Sequence, residues 1–224
     1  MNGELVLTDD VPGAFADLVV ECWRQRAHET FALALSGGST ARRAYEELAH
    51  RAADAIDWWT VDFYWGDERC VPADHPDSNQ LLGRQALLER VGAANSVHPM
   101  RCEDGPDAYQ LLVGELGRFD VVHLGLGPDG HTASLFPGSA ALEADPGQLV
   151  AMNEDPSGRN PHRRMTLTFS GIARSHLVVF TVAGEEKAEA MARVHRGEDL
   201  PANRVTADRV VWLVDHAAFP PDAR

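Results

Sequence analysis

Phe119-Asp120-Val121-Val122-His123-Leu124-Gly125-Leu126-Gly127-Pro128-Asp129-Gly130-His131-Thr132-Ala133-Ser134-Leu135-Phe136-Pro137-Gly138 is the stretch on which the fold turns. Phe119 to Leu124 is short, apolar and β-branched enough for a strand covered on both faces, as strands of parallel sheets are. The glycines that follow let the chain turn sharply at the strand's carboxyl end, the edge at which open α/β sheets bind ligands. His131 is therefore expected at a crevice and not in a core. Gly125, Gly127 and Gly130 also spell G-x-G-x-x-G, the spacing of a dinucleotide loop. That reading lacks its context: the glycines lie past mid-chain, Pro137 cuts a following helix short, and Asp129 would repel a pyrophosphate. Ala151 and its neighbours supply no acid where a ribose would need one.

Outward from this stretch the chain alternates strands with amphipathic helices. Strands are expected at Phe31 to Leu35, Trp59 to Tyr64, Leu177 to Val182 and Val210 to Val214, with a weaker one near Leu5 to Leu7. Helical spacing of apolar residues marks Ala14 to Arg26, Thr40 to Arg51, Asn79 to Arg90, Asp107 to Leu116 and Glu185 to Val194. The pattern is that of a doubly wound α/β fold with a mainly parallel sheet flanked by helices. Phe136 to Met165, rich in Gly, Pro and Asn, is the longest irregular region, and such regions are often functional.

The 224 residues, 44% of them hydrophobic, suffice for one domain spanning 1–224 with a substantial core. No run is long enough to cross a membrane, and the acidic opening Glu4, Asp9, Asp10 is unlike a targeting peptide, so a cytoplasmic protein is expected. Cys22, Cys70 and Cys102 are odd in number, scattered and never in C-x-x-C spacing, which implies reduced packing thiols and no zinc site. A formal charge of −14 disfavours nucleic-acid and anionic-membrane partners. An anionic ligand must then be held by a local cluster of cations.

Several strand ends carry polar loops. Ser36-Gly37-Gly38-Ser39-Thr40 follows the Phe31 strand and suits an anion: the glycines admit close backbone approach, and Ser39 or Thr40 would cap a helix with outward N–H groups. An ordinary strand-to-helix turn with a serine cap would look the same. No Walker lysine follows the glycines, so a single phosphoryl group fits better than a nucleoside triphosphate. Lys187 stands in the first turn of a helix, where a cation opposes the macrodipole; a bound anion would account for it, and so would simple solvation. Trp65-Gly66-Asp67-Glu68-Arg69 closes the set. The chain shows neither a G-x-S-x-G elbow nor H-E-x-x-H, so no serine nucleophile, metal or cofactor is expected.

Five blocks in one order complete the picture: Leu35 to Thr40; Trp65 to Arg69 with Val71-Pro72 and Asp77-Ser78-Asn79; Gly125 to Gly138; Arg164-Met165-Thr166-Leu167-Thr168; and Gly184-Glu185-Glu186-Lys187-Ala188. In these the chain resembles the 6-phosphogluconolactonases of the pentose phosphate pathway, which share a Rossmann-like fold with glucosamine-6-phosphate deaminases. The resemblance spans nearly the whole chain. It implies hydrolysis of 6-phospho-D-glucono-1,5-lactone, with the phosphate held by Ser36, Gly37, Gly38 and Ser39 together with Arg69, Arg164 and Lys187. A δ-lactone is an activated ester that needs one base and one electrostatic clamp. His131 is assigned as that base, Asp129 as the group orienting it, and Asp67 as a ligand of sugar hydroxyls. The tetrahedral oxyanion would take N–H groups of the glycine loop or Arg69. Two departures matter. A lysine common in the family before Arg164 is replaced, the chain reading Arg159-Asn160-Pro161-His162-Arg163-Arg164, so Arg159 or Arg163 could share the phosphate with Arg164. Phe136 also stands where the deaminases carry an acid for ring opening, which favours the lactonase over the two alternatives, a deaminase or a non-catalytic sugar-phosphate sensor. A monomer is expected.

Overall fold

Runs of buried apolar residues set the strands. Phe31–Leu35 and Val61–Trp65 bury every side chain, the pattern of strands covered on both faces. The computed structural model describes residues 1–219, so positions 220–224 of the expected domain lie outside the described residues. Ten strands follow in order: β1 (Glu4–Leu7), β2 (Phe31–Leu35), β3 (Val61–Trp65), β4 (Asp67–Arg69), β5 (Ser96–Val97), β6 (Phe119–Gly125), β7 (Val150–Asn153), β8 (Arg164–Leu167), β9 (Ser175–Val182) and β10 (Arg209–Val214). Seven form one sheet in the order β1-β10-β9-β6-β2-β3-β5, with every pairing parallel. From β2 the chain runs outward through β3 to β5, then returns to the other side of β2 as β6 and runs out through β9 to β10. The order thus reverses between β2 and β6, and a crevice opens at their carboxyl ends.

Helices cover the sheet: α1 (Val11–Gln25), α2 (Ser39–Arg51), α3 (79–91), α4 (Gly105–Leu116) and α5 (Ala188–His195). The buried set of α2, Ala41, Ala44, Tyr45, Leu48 and Ala49, falls at i, i+3, i+4, i+7 and i+8, one stripe of a helix. Asp10 caps α1 by accepting from Gly13 N–H at 3.0 Å. Stretch α3 is α-helical over Asn79–Gly83, widens into a π turn over Arg84–Leu88 and closes as α-helix over Glu89–Val91. Between β9 and β10 the rings of Phe180 and Trp212, paired in register, stack at 3.7 Å.

Three expectations need correction. The stretch Phe136 to Met165 is not wholly irregular: β7 and the start of β8 lie in it and form, with β4, a small antiparallel sheet in the order β4-β8-β7. No side chain caps α2. Gly38 holds that place with a φ of +96°, which a side chain would resist, and Ser39 is an exposed first residue. Cys70 and Cys102 are not free thiols but a disulfide with Cα atoms 5.4 Å apart. Their spacing hides this because the fold alone brings them together: Cys70 continues β4, and Cys102 lies in the turn beyond β5. The expectation of reduced thiols falls for this pair. Cys22 is the one free cysteine, its thiol pushed up to about 11 by burial. No helix among the described residues is long and apolar enough to cross a membrane.

Candidate active site

Parallel strands deliver their loops to one edge, and three of them meet at the crevice. The loops after β2 and β6 and the one after β9 line a cleft of about 210 Å³, with Ser36, Gly37 and Gly38 on one wall, Gly127 and His131 on another, and Lys187 between. Asp67, Arg69 and Asn79 close it from the small sheet and the start of α3. A larger hollow of about 710 Å³ lies around Cys70 and Cys102, sharing Arg69 but neither the glycine loops nor His131. The chemistry-bearing groups converge on the smaller one.

His131 is held from its own loop. Gly127 N–H donates to His131 C=O at 2.8 Å and Gly130 N–H to Gly127 C=O at 3.0 Å, which closes a tight turn. The imidazole lies against Gly127, where a Cβ would run into the ring. Asp129 Oδ1 accepts from His131 N–H at 3.0 Å and meets Nδ1 at 2.5 Å. A carboxylate at Nδ1 favours the proton there in the neutral ring, leaving the Nε2 lone pair on the other side. Burial works against the Asp129 charge, but the bonds and charge of His131 hold this carboxyl below its ordinary value. Phe136, buried, sets its ring 4.9 Å from the imidazole, so the neighbour of His131 at that position is apolar.

Asp67 is fixed on both oxygens. Ser134 Oγ donates to Oδ2 at 2.6 Å and Asn79 Nδ2 to Oδ1 at 3.0 Å. Ala133, which directly precedes Ser134, has a φ of +47°, the one positive φ outside glycine among the described residues. Next to Asp67, Glu68 accepts from the N–H groups of Arg69, Asn79 and Gln80, each at 2.7 Å, and from Ser78 Oγ at 3.1 Å. It thereby caps α3 with a buried carboxylate; burial pushes its carboxyl up despite those donors. Asn79, Ser134 and Glu68 lie in the blocks quoted from the sequence, but their roles were missed because each acts through a partner distant in the chain.

The cations differ in placement. Lys187 ends a short turn before α5 and donates from Nζ to Leu126 C=O at 2.9 Å, which bridges the loops after β9 and β6. Arg69 donates from Nη1 to Asp77 C=O at 2.7 Å, and its buried Nε has no partner among the described residues. Arg164 sits opposite Arg69 in the β4–β8 register, only 4% exposed, and is off the cleft wall. Burial and then the Arg69 charge pull its guanidinium below the ordinary value, against Asp67 and Glu68. Arg163 faces Glu154 at 3.8 Å on another surface, and Arg159 is exposed. Of the three arginines left open by the sequence, only Arg164 adjoins the site. Ser39 lies at the rim and not on the wall.

Comparison with known proteins agrees with this architecture. Residues 7–212 match the family model described as glucosamine-6-phosphate isomerases/6-phosphogluconolactonase. Proteins named 6-phosphogluconolactonase from Synechocystis sp. and Nostoc sp. are 37% and 38% identical to it, over 83% and 84% of this chain and 82% and 83% of theirs. The crystal structure of 6-phosphogluconolactonase from Thermotoga maritima superposes with a TM-score of 0.79 at 30% identity, covering 95% of this chain and 99% of that one. The chain therefore belongs to the glucosamine-6-phosphate isomerase/6-phosphogluconolactonase family.

Proposed function

We propose that the protein hydrolyses 6-phospho-D-glucono-1,5-lactone to 6-phospho-D-gluconate, with His131 as general base. One observation carries this reading: Asp129 occupies the Nδ1 side of the His131 imidazole while the ring lines the same cleft as the glycine cradle and Lys187. The phosphoryl group lies at Ser36, Gly37 and Gly38 near the start of α2, with Lys187 supplying a charge-assisted contact. Water between Nε2 and C1 gives its proton to His131 as its oxygen adds to the lactone carbonyl. The tetrahedral oxyanion takes Arg69. Gly127, Gly130 and His131 have spent their N–H groups inside the loop and Pro128 has none, so the guanidinium is the better-placed donor. As the intermediate collapses the C1–ring oxygen bond breaks, the carbonyl reforms, and the imidazolium returns the proton to the departing ring oxygen. Asp67, fixed by Ser134 and Asn79, receives sugar hydroxyls.

A time course of lactone consumption, with spontaneous opening subtracted, tests the reading; turnover no faster than the blank would end it. Ammonia release from glucosamine 6-phosphate would shift it to a deaminase, which the apolar Phe136 beside His131 disfavours. A monomeric, cytoplasmic enzyme of one domain belongs to the same proposal, and the charge of −14 supports its part that excludes nucleic-acid and anionic-membrane partners. Light scattering and cell fractionation test those parts.

A further inference from the structure

Behind the cradle, on its core side, runs a series of polar groups that the reaction above does not use. Ser36 is the first residue beyond β2, so its N–H and C=O have lost the strand ladder. Tyr45, two turns into α2, folds back beneath it: the hydroxyl accepts from Ser36 N–H at 2.6 Å and lies 3.3 Å from Ser36 C=O. His123 Nδ1 is 2.8 Å from the same hydroxyl, and Nε2 is 2.8 Å from Thr181 Oγ1 of β9. Tyr45 and His123 are fully buried, and Phe15 packs on the imidazole at 4.3 Å. Burial pushes His123 down to about 3 and Tyr45 up, so both are neutral. With the imidazole proton on Nδ1 every group is served. Tyr45 oxygen accepts from Ser36 N–H and from His123, its own proton goes to Ser36 C=O, and Nε2 accepts the Thr181 hydroxyl.

We infer that Tyr45 and His123 are positioning residues which set the peptide planes of the Ser36-Gly37-Gly38 cradle and thereby fix its affinity for the phosphoryl end of the substrate. This rests on the lactonase reading. The neighbouring strand supplies an internal control. Tyr109 of α4 accepts from Trp65 N–H at 2.8 Å and donates to Trp65 C=O at 3.1 Å, the same clip at the end of β3. That strand leads through Gly66 to Asp67, not to the cradle.

The experiment measures kinetics on phosphorylated and unphosphorylated gluconolactone, and inhibition by inorganic phosphate, for wild type, Tyr45→Phe, Tyr109→Phe, His123→Leu and His123→Asn. Tyr45→Phe should raise KM for the phosphorylated lactone about tenfold, the worth of one buried hydrogen bond, with kcat within about threefold. Phosphate inhibition should weaken by the same factor and the unphosphorylated lactone should be handled as before. Tyr109→Phe should affect both lactones alike. His123→Leu should follow Tyr45→Phe, and His123→Asn, which keeps a donor towards Tyr45, should recover most of the loss. The histidine pair decides the matter if Tyr45→Phe does not fold. An unchanged preference for the phosphorylated lactone in Tyr45→Phe, or the same selective loss in Tyr109→Phe, overturns the inference alone. A wild type indifferent to the phosphoryl group overturns the functional reading along with it.

Discussion

The two sheets of this molecule do different work at the same cleft. The seven-stranded parallel sheet brings its glycine loops and its histidine turn, carries charge out on those loops at Asp129 and Lys187, and holds behind them the uncharged Thr181, His123 and Tyr45. The small antiparallel sheet brings charge, with Asp67, Glu68 and Arg69 in β4 and Arg164 opposite in β8. The difference follows from burial. A sheet covered on both faces cannot hold ions cheaply, whereas a three-stranded one at the margin can pair them with each other and with the start of α3.

The comparison breaks first at His131. With the base carried by a loop of the large sheet, His131→Gln should lower kcat roughly 10²–10⁴-fold with KM little changed. A variant that keeps wild-type kcat would move the base to the small sheet, to Asp67.

The disulfide tests how far the small sheet depends on the large one, since Cys70 extends β4 and Cys102 follows β5. Replacing both by serine releases a loop closed over 32 residues and should cost roughly 2–4 kcal/mol in urea unfolding. No change would mean that the small sheet is rigid by itself.

Cations on the two sheets should then separate. Lys187→Met, on the cleft wall, should lower kcat/KM about ten- to a hundredfold, mainly through KM, the effect of losing a charge-assisted contact worth roughly 1.5–3 kcal/mol. Arg164→Met, behind Arg69, should cost less; equal losses would place Arg164 on the phosphate.

The smallest effect is an acid one. Burial lowers His123 from 6.5 to about 3, so the unfolded chain binds a proton that the folded chain refuses. Stability from this group is whole above about pH 6.5 and is lost as pH falls towards 3, amounting to about 2 kcal/mol by pH 5. The urea midpoint of His123→Asn should fall less steeply over that range than that of the wild type.

How much was legible in the sequence divides along the same line. Strands such as Phe31–Leu35 announce themselves through an unbroken apolar run, and the turn after it through Gly37 and Gly38. The turn at Gly127 and the contact of Asp129 with His131 are local, so neighbours in the chain are neighbours in space. The small sheet was invisible because Asp67–Arg69 has no apolar period and pairs with residues near position 165. Cys70 with Cys102 and Ser134 with Asp67 were hidden for the same reason: the partners are 32 and 67 residues apart and meet only through the tertiary fold. His123 was counted as one more residue of an apolar strand, since a lone histidine in such a run carries no sign of the tyrosine it will meet.

The parallel pairing of β1 with β10, Glu4 opposite Val211, has a consequence for the order of assembly on the ribosome. Among the described strands β1 sits at the sheet's edge, and its one neighbour there is β10. Residues 4–7 must therefore wait, through the synthesis of some two hundred others, for the template that receives them. Strand β1 is thus the one whose only partner in the sheet is made at the greatest distance along the chain, and its pairing comes late.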